Sequence, residues 1–423
     1  MIMTMMKSSN TEWLGDIPAE WDAAQIGNYY ELRNEKVSDY DFEPLSVTMK
    51  GIVPQLATAA KSDDHSNRKL VKKGDFVINS RSDRRGSCGI SPLDGSVSLI
   101  NTVMEPRGEM NPQYYNWLFH TEQFADEFYK WGHGIVDDLW TTRWQEMKKI
   151  LIVAPSPDEQ QAIADYLDET CSKIDEIIAE AKASIDEYKE LKQSVIFEAV
   201  TKGLDKNVEF IDSGDEWLGK YPQSYNIGQL SMLSNIVRGG SPRPAGDPRY
   251  YGGNISFMRI ADITKDDNIY VNSCENTITE EGLTRTRMIP PNTLLLTNSG
   301  ATLGVPKINT FETAFNDGIA AFLDLDERLN IVYVYFFLKA RTSYFLECAS
   351  MGMGQPNLNT DIIGRTKIVF PTLVEQQKVI SYLEDRCGKL NSLISEKESL
   401  IKDLESYKKS LIYEVVTGKR RVV

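Results

Sequence analysis

The sequence predicts a mixed α/β (α+β) chain made by tandem duplication, with two globular segments that are each followed by a long helix. Three observations predict it. One short motif opens both halves, one longer motif closes both, and the closing segments carry a heptad stripe. At 423 residues, 41% of them hydrophobic, the chain has enough material for two or three domains with proper cores.

The opening motif is Glu12-Trp13-Leu14-Gly15 with Pro18. It returns as Glu216-Trp217-Leu218-Gly219 with Pro222, an offset of 204. The closing motif is PSPDEQQAIADYLDETCSKI at 155–174 and PTLVEQQKVISYLEDRCGKL at 371–390, an offset of 216. The same 216 aligns SVIFEAVTKG at 194–203 with SLIYEVVTGK at 410–419. Chance likeness of two amphipathic helices would not also repeat EWLGxxP, and the period is far longer than that of a solenoid. The chain therefore divides into a globular segment 1–154, a helical spacer 155–203, a globular segment 204–370 and a helical spacer 371–423.

Each spacer has a start and a stop. Ser156 with Glu159, and Thr372 with Glu375, have the form of capping boxes, and Pro157 suits the first helical position. Gly203 and Gly418 sit where each helix should end. Between them runs an apolar seam with steps of four and three. In the first spacer it passes Leu167, Cys171, Ile174, Ile178, Ala181, Ile185 and Tyr188, then Leu191 or Lys192, Val195 and Ala199. In the second it passes Leu383, Cys387, Leu390, Ile394, Lys397, Ile401, Leu404, Leu411 and Val415. Such spacing is that of a coiled coil. A helix of about forty residues is roughly 60 Å long, too long for one compact domain, so the two are expected to pair. Glu159, Gln160, Gln161 and Glu375, Gln376, Gln377 are helix-start residues and candidates for a subunit contact.

The formal net charge of −14 argues at first against a nucleic-acid partner. The acid is concentrated, however: residues 158–190 hold eleven acids against three lysines, which is over half of that excess. The globular segments are closer to neutral. Five scattered cysteines without a CxxC pair, and only three histidines, make a zinc site or disulfide framework improbable. The start has no apolar signal-peptide core, and the most apolar run, Ile331 to Leu338, is too short for a bilayer span. The expectation is a cytoplasmic protein.

Both globular segments read as a short buried strand leading into a polar loop. In the first, GDFVIN at 74–79 runs into SRSDRRGSCG. In the second, NTLLLT at 292–297 runs into NSGATLG. An aromatic helical segment follows in each (114–130 and 333–350), then a glycine loop, WGHGIVDDL or SMGMGQPNL, and a last strand. Arginine forks and Asn or Gln amides on loops suit phosphates and base edges. The candidate DNA-binding residues are Lys72, Lys73, Asn79, Arg81, Arg84 and Arg85 in the first segment. In the second they are Arg238, Arg243, Arg249, Arg259, Asn298, Ser299, Gln355 and Asn357.

Catalytic signatures are missing. There is no GxxxxGK[ST] phosphate loop, and no GxGxxG follows a strand. Asp158 and the Glu187-Tyr188-Lys189 triplet fit a loose PD…ExK nuclease pattern, but one straight helix would hold them about 44 Å apart. No catalytic residue and no metal ligand is assigned.

The two EWLGxxP openings, the PxxxEQQxxIxxYL helix starts and the SxxxExVTxG-like tails resemble the DNA-specificity subunit of type I restriction–modification enzymes. The resemblance covers essentially the whole chain. It implies two target-recognition domains separated by two long antiparallel coiled-coil helices, related by a pseudo-twofold axis. It also implies a non-catalytic subunit that reads a bipartite, asymmetric double-stranded DNA site for host defence. Two modification (methyltransferase) subunits and the restriction (translocase/nuclease) subunits would be its partners. On this reading the chain binds no cofactor itself, and S-adenosylmethionine, ATP and Mg2+ belong to the partner subunits. Other readings are an orphan or regulatory specificity protein, and a non-DNA protein-interaction scaffold.

Overall fold

The computed structural model describes residues 5–58, 65–81, 85–108, 110–134, 140–300, 302–350 and 357–422. Two compact units emerge, one from Met1–Lys182 with Glu398–Val423, the other from Ala183–Lys397. The long helices run Pro157–Lys202 and Leu373–Val416, so each contributes one stretch to each unit. Among the described residues, no helix is long and apolar enough to cross a membrane.

The first unit opens with an antiparallel hairpin, Met6–Ser8 against Asp16–Pro18. EWLG forms the turn. Gly15 takes φ +61°, which favours glycine, and its N–H donates to Thr11 O at 3.0 Å. A four-stranded antiparallel sheet follows in the order Cys88–Ile90, Phe76–Asn79, Asn101–Pro106, Tyr30–Leu32. Beside it are a three-stranded sheet (Gly95–Val97, Arg68–Val71, Lys36–Val37) and the hairpin Leu45–Thr48 with Gly51–Pro54. The aromatic segment is two helices, Pro112–Phe119 and Glu122–Lys130. They divide at Thr121, whose hydroxyl accepts from Phe124 N at 3.2 Å and caps the second. Tyr30, Phe76, Tyr115, Phe119 and Phe124 stack in the core, with Phe76–Phe119 centroids 4.7 Å apart. Ile163, Leu167, Cys171 and Ile174 join that core, as do Leu411, Val415 and Val416. Lys408 pairs with Asp175 at 2.6 Å and Arg421 with Glu159 at 3.3 Å, so the two helical stretches run antiparallel within this unit.

The second unit repeats the plan. Its hairpin is Phe210–Asp212 with Lys220–Pro222, and Gly219 has φ +59°. Its main sheet runs Asn235–Arg238, Ile319–Leu323, Leu294–Thr297, Pro306–Asn309, the same order as in the first unit, with Tyr270–Val271 added in parallel. A four-stranded sheet (Thr277–Ile278, Tyr251–Met258, Thr313–Phe315, Met288–Ile289) fills the remainder. Here the aromatic helix is unbroken, Ile331–Ser350. The core takes Ile196, Ala199 and Val200 from one long helix and Val379, Ile380, Leu383 and Cys387 from the other. The seam choice left open in the sequence falls to Lys192, not Leu191. The lysine side chain is only 12% exposed, pairs with Asp267 and donates to Asn391 Oδ1 at 2.8 Å, whereas Leu191 is 47% exposed.

The helix ends decide how each unit is closed. Gly203 has φ +73°, and a Cβ there would collide with the Tyr225 hydroxyl. Gly418 has φ +72°, and a Cβ there would strike Pro18 and come within 3.0 Å of Trp21. Lys202 donates to the carbonyls of Leu218 and Lys220, and Lys419 to those of Leu14 and Asp16. Each EWLG turn is thus gripped by the end of the long helix that belongs to the other copy of the repeat. Gly203→Ala is expected to lower stability by about 1–3 kcal/mol through positive φ and the clash. Gly388→Ala, on an open helix face, is expected to raise it by about 1 kcal/mol. Urea unfolding of the two variants measures both.

Candidate functional site

The helix starts are built as read. Glu159 accepts from Ser156 N at 3.3 Å while the Ser156 hydroxyl accepts from Glu159 N at 3.4 Å, and Glu375 with Thr372 repeats both bonds. The first glutamine does more. Gln160 is buried, donates to Pro155 O at 2.8 Å and accepts from Asn111 N at 2.8 Å. Gln376 is buried, donates to Pro371 O at 2.9 Å and Arg328 O at 2.8 Å, and accepts from Asn330 N at 2.8 Å. Asn111 and Asn330 cap the aromatic helices, accepting from Tyr114 N at 3.1 Å and Val332 N at 2.9 Å. Each glutamine therefore locks the start of a long helix to the start of an aromatic helix. The second glutamines, Gln161 and Gln377, are exposed. Nearby, burial followed by the Glu375 charge pushes the Tyr225 phenol up to about 12.

The predicted loops meet as pairs. In the first unit Arg81 forms an isolated antiparallel bridge with Thr141, and Thr142 N–H donates to Ser80 O at 2.9 Å. In the second, Ser299 bridges Asn357, and Leu358 N–H donates to Asn298 O at 2.8 Å. The loop after the central strand is tied in both units to the segment before the last strand. The sheet places these positions, since Arg81 and Ser299 lie just beyond the buried strands Phe76–Asn79 and Leu294–Thr297.

Single residues fare differently. Arg84 and Gln355 lie outside the described residues. Arg81 and Arg85 are exposed, and Arg85 pairs with Asp126 and lies over the Tyr129 ring at 5.1 Å. Tyr129 in turn stacks on Trp140 at 5.6 Å. Lys72 and Lys73 precede the strand that Arg81 follows. They engage Asp94, through Lys72 Nζ at 3.4 Å and Lys73 N at 2.8 Å, and do not join the arginine loop. Asn79 is a correction: it is buried, and its amide oxygen is used by Arg81 N at 3.0 Å. Asn298 is another: it is fully buried, with neither side-chain polar atom hydrogen-bonded. Arg238 donates to Asp317 O, and Ser241 to the Asp317 carboxylate at 2.6 Å. Asn298 N–H donates to the adjoining Gly318 O at 2.9 Å, so Arg238 and the Ser299 bridge share the turn at 316–318. Arg259 lies over Tyr251 at 5.8 Å, and the Tyr251 hydroxyl donates to Pro242 O next to exposed Arg243. Arg249 is neutralised by Asp247 at 2.7 Å.

The sequence reading missed one cleft. Lys69, Arg81, Thr141, Arg143, Trp144 and Gln145 line it in the first unit. Burial draws the Lys69 ammonium below its ordinary value. The signal was present in TTRWQ at 141–145, an arginine, an aromatic and an amide directly after the glycine loop.

The fold and these paired loops define a class: a duplicated α+β protein that presents two loop-built sites on shared helices. Residues 222–403 match the family model described as "Type I restriction modification DNA specificity domain". The chain is 29% identical over 174 residues to the MjaIX specificity subunit of Methanocaldococcus jannaschii, covering 40% of each. It is 22% identical over 237 residues to the HindI specificity subunit of Haemophilus influenzae, covering 54% of this chain and 49% of that one. The chain thus spans less than half the length of these curated relatives. In fold it resembles a chain from a structure concerned with complex assembly and conformational transition of the type I R-M system, with TM-score 0.74, 14% identity and coverage of 96% and 99%. It also resembles the HsdS subunit from Thermoanaerobacter tengcongensis, with TM-score 0.54, 16% identity and coverage of 96% and 98%. The resemblance read from the two repeats is borne out.

Gln160→Ala or Gln376→Ala strands buried backbone groups and is expected to cost about 2–3 kcal/mol, while Gln161→Ala and Gln377→Ala stay within about 0.5 kcal/mol. Denaturant titration of the four variants separates the two classes. Asn298→Ser, which installs the residue type of Ser80, is expected to raise stability by about 1 kcal/mol in the same assay.

Proposed function

We propose that the chain is the non-catalytic specificity subunit of a type I restriction–modification complex, reading a bipartite, asymmetric DNA site with one unit for each half. The observation that carries this reading is the repeated loop bridge, Arg81 with Thr141 and Ser299 with Asn357, on sheets of the same strand order but with different loop residues. One scaffold with two different loop chemistries suits two different half-sites. Base edges are told apart by donor and acceptor patterns, and those are supplied by loop side chains.

Modification subunits would bring S-adenosylmethionine, and restriction subunits ATP and Mg2+, with this chain supplying the address. The exposed acids along the long helices keep that surface away from DNA phosphate and leave it to protein partners. Such a complex works on cellular DNA, in the cytoplasm.

Methylome sequencing of cells with and without this gene, in the presence of the modification gene, tests the reading. The expected result is a gapped, asymmetric methylated motif that vanishes on deletion. Exchange of residues 23–150 for those of another family member is expected to change one half of the motif only. An unchanged methylome on deletion refutes the proposal.

A further inference from the structure

We propose that the cleft lined by Lys69, Arg81 and Arg143 in the first unit receives a backbone phosphate of duplex DNA, with Trp144 and Gln145 against the adjoining nucleotide. The proposal rests on the DNA-reading function above and locates part of it.

Several cations elsewhere are paired with carboxylates. Arg33 pairs with Asp75 at 2.6 Å and with Glu105 at 2.7 Å, Lys307 with Asp266 at 2.7 Å, Arg328 with Asp326 at 2.8 Å, and Arg85 with Asp126. The three cations of this cleft differ. Among the described residues none has a carboxylate partner, and no acidic residue is in the lining. Lys69 is held by a neutral group, donating to Asn101 O at 2.6 Å. Like charges gathered in a concave, partly desolvated site repel one another, and an anion relieves that cost.

The backbone fixes the walls. Asn101, which holds Lys69, pairs in register with Asn79, two residues before Arg81. Arg81 is bridged to Thr141, two residues before Arg143. The guanidinium fork matches phosphate oxygens, and the flat Trp144 ring and the Gln145 amide offer stacking and a hydrogen bond to the nucleotide beside it. The bridge register places Ser299 opposite Arg81's role in the second unit, with Asn359 and Asp361 where Arg143 and Gln145 stand. The clamp is therefore peculiar to the first unit.

The test is fluorescence anisotropy of the full chain with a mixed-sequence DNA duplex over a salt series. Arg143→Ala is expected to weaken binding about tenfold and to reduce the slope of log affinity against log salt by about 0.9. Arg143→Lys should restore the slope. Lys173→Ala, on a helix surface where Lys173 pairs with Glu169, should bind as the wild type does. The methylated motif should stay the same for Arg143→Ala, because a phosphate contact positions and does not specify. Wild-type affinity and slope in both Arg143→Ala and Arg81→Ala overturn the proposal. So does a motif altered at one base, which would make these residues base readers. Inorganic phosphate binding that is lost in Arg143→Ala while DNA affinity is kept would mark a free-anion site and overturn it too. A wild-type chain without salt-dependent binding brings down the DNA reading itself, and that failure is visible before any variant is made.

Discussion

Two buried tyrosine hydroxyls hold the architecture together. Tyr114 donates to Val416 O at 2.7 Å, and Tyr333 donates to Val200 O at 2.8 Å. Val200 and Val416 lie in the last turns of the long helices, where carbonyls have no partner within the helix. Buried, each carbonyl would cost free energy, and the tyrosine of the aromatic segment supplies the missing donor. Burial raises both phenols well above their ordinary values, so they remain donors across the accessible pH range. The rest of the closure is arranged around this bond. The EWLG turn sits on the helix end, a lysine ties down its carbonyls, and an aromatic from the last turns touches the motif's tryptophan. That aromatic is Tyr413 on Trp13 O at 2.7 Å in one unit, and Phe197 at 5.1 Å from the Trp217 ring in the other.

Much of this was legible because it is repeated. The capping boxes, the heptad stripe, the stopping glycines and the strand-to-loop plan each appear twice in the sequence, and each is present in the structure. What was not legible is the exchange of helix ends. Read along the chain, EWLG and the tail after it look like one copy, but Trp13 is closed by Tyr413 and not by Phe197. Linear order holds no record of which helix end returns to which turn. The break at Thr121 was also missed, because the aromatic spacing continues across it and the cap lies in a single hydroxyl.

The candidate site was legible in place but not in detail. The loops after the central strands were identified, and they meet their partner loops. The residue choices followed polarity alone, and polarity does not report burial. Asn79 and Asn298 sit at the strand ends, where the chain is still inside the sheet, and both are covered. Arg143 was passed over because one basic residue beside a tryptophan carries no period or motif. It matters only once the Arg81 bridge brings it to the same cleft as Lys69.

The exchanged helix ends have a consequence for inheritance. The turn that opens each copy and the tail that closes the other keep the patterns EWLGxxP and SxIxExVT in both copies, so a crossover that falls within them leaves both patterns intact. The loops between can then be traded as cassettes. The scaffold constrains its own ends tightly and leaves the loops between them free to differ.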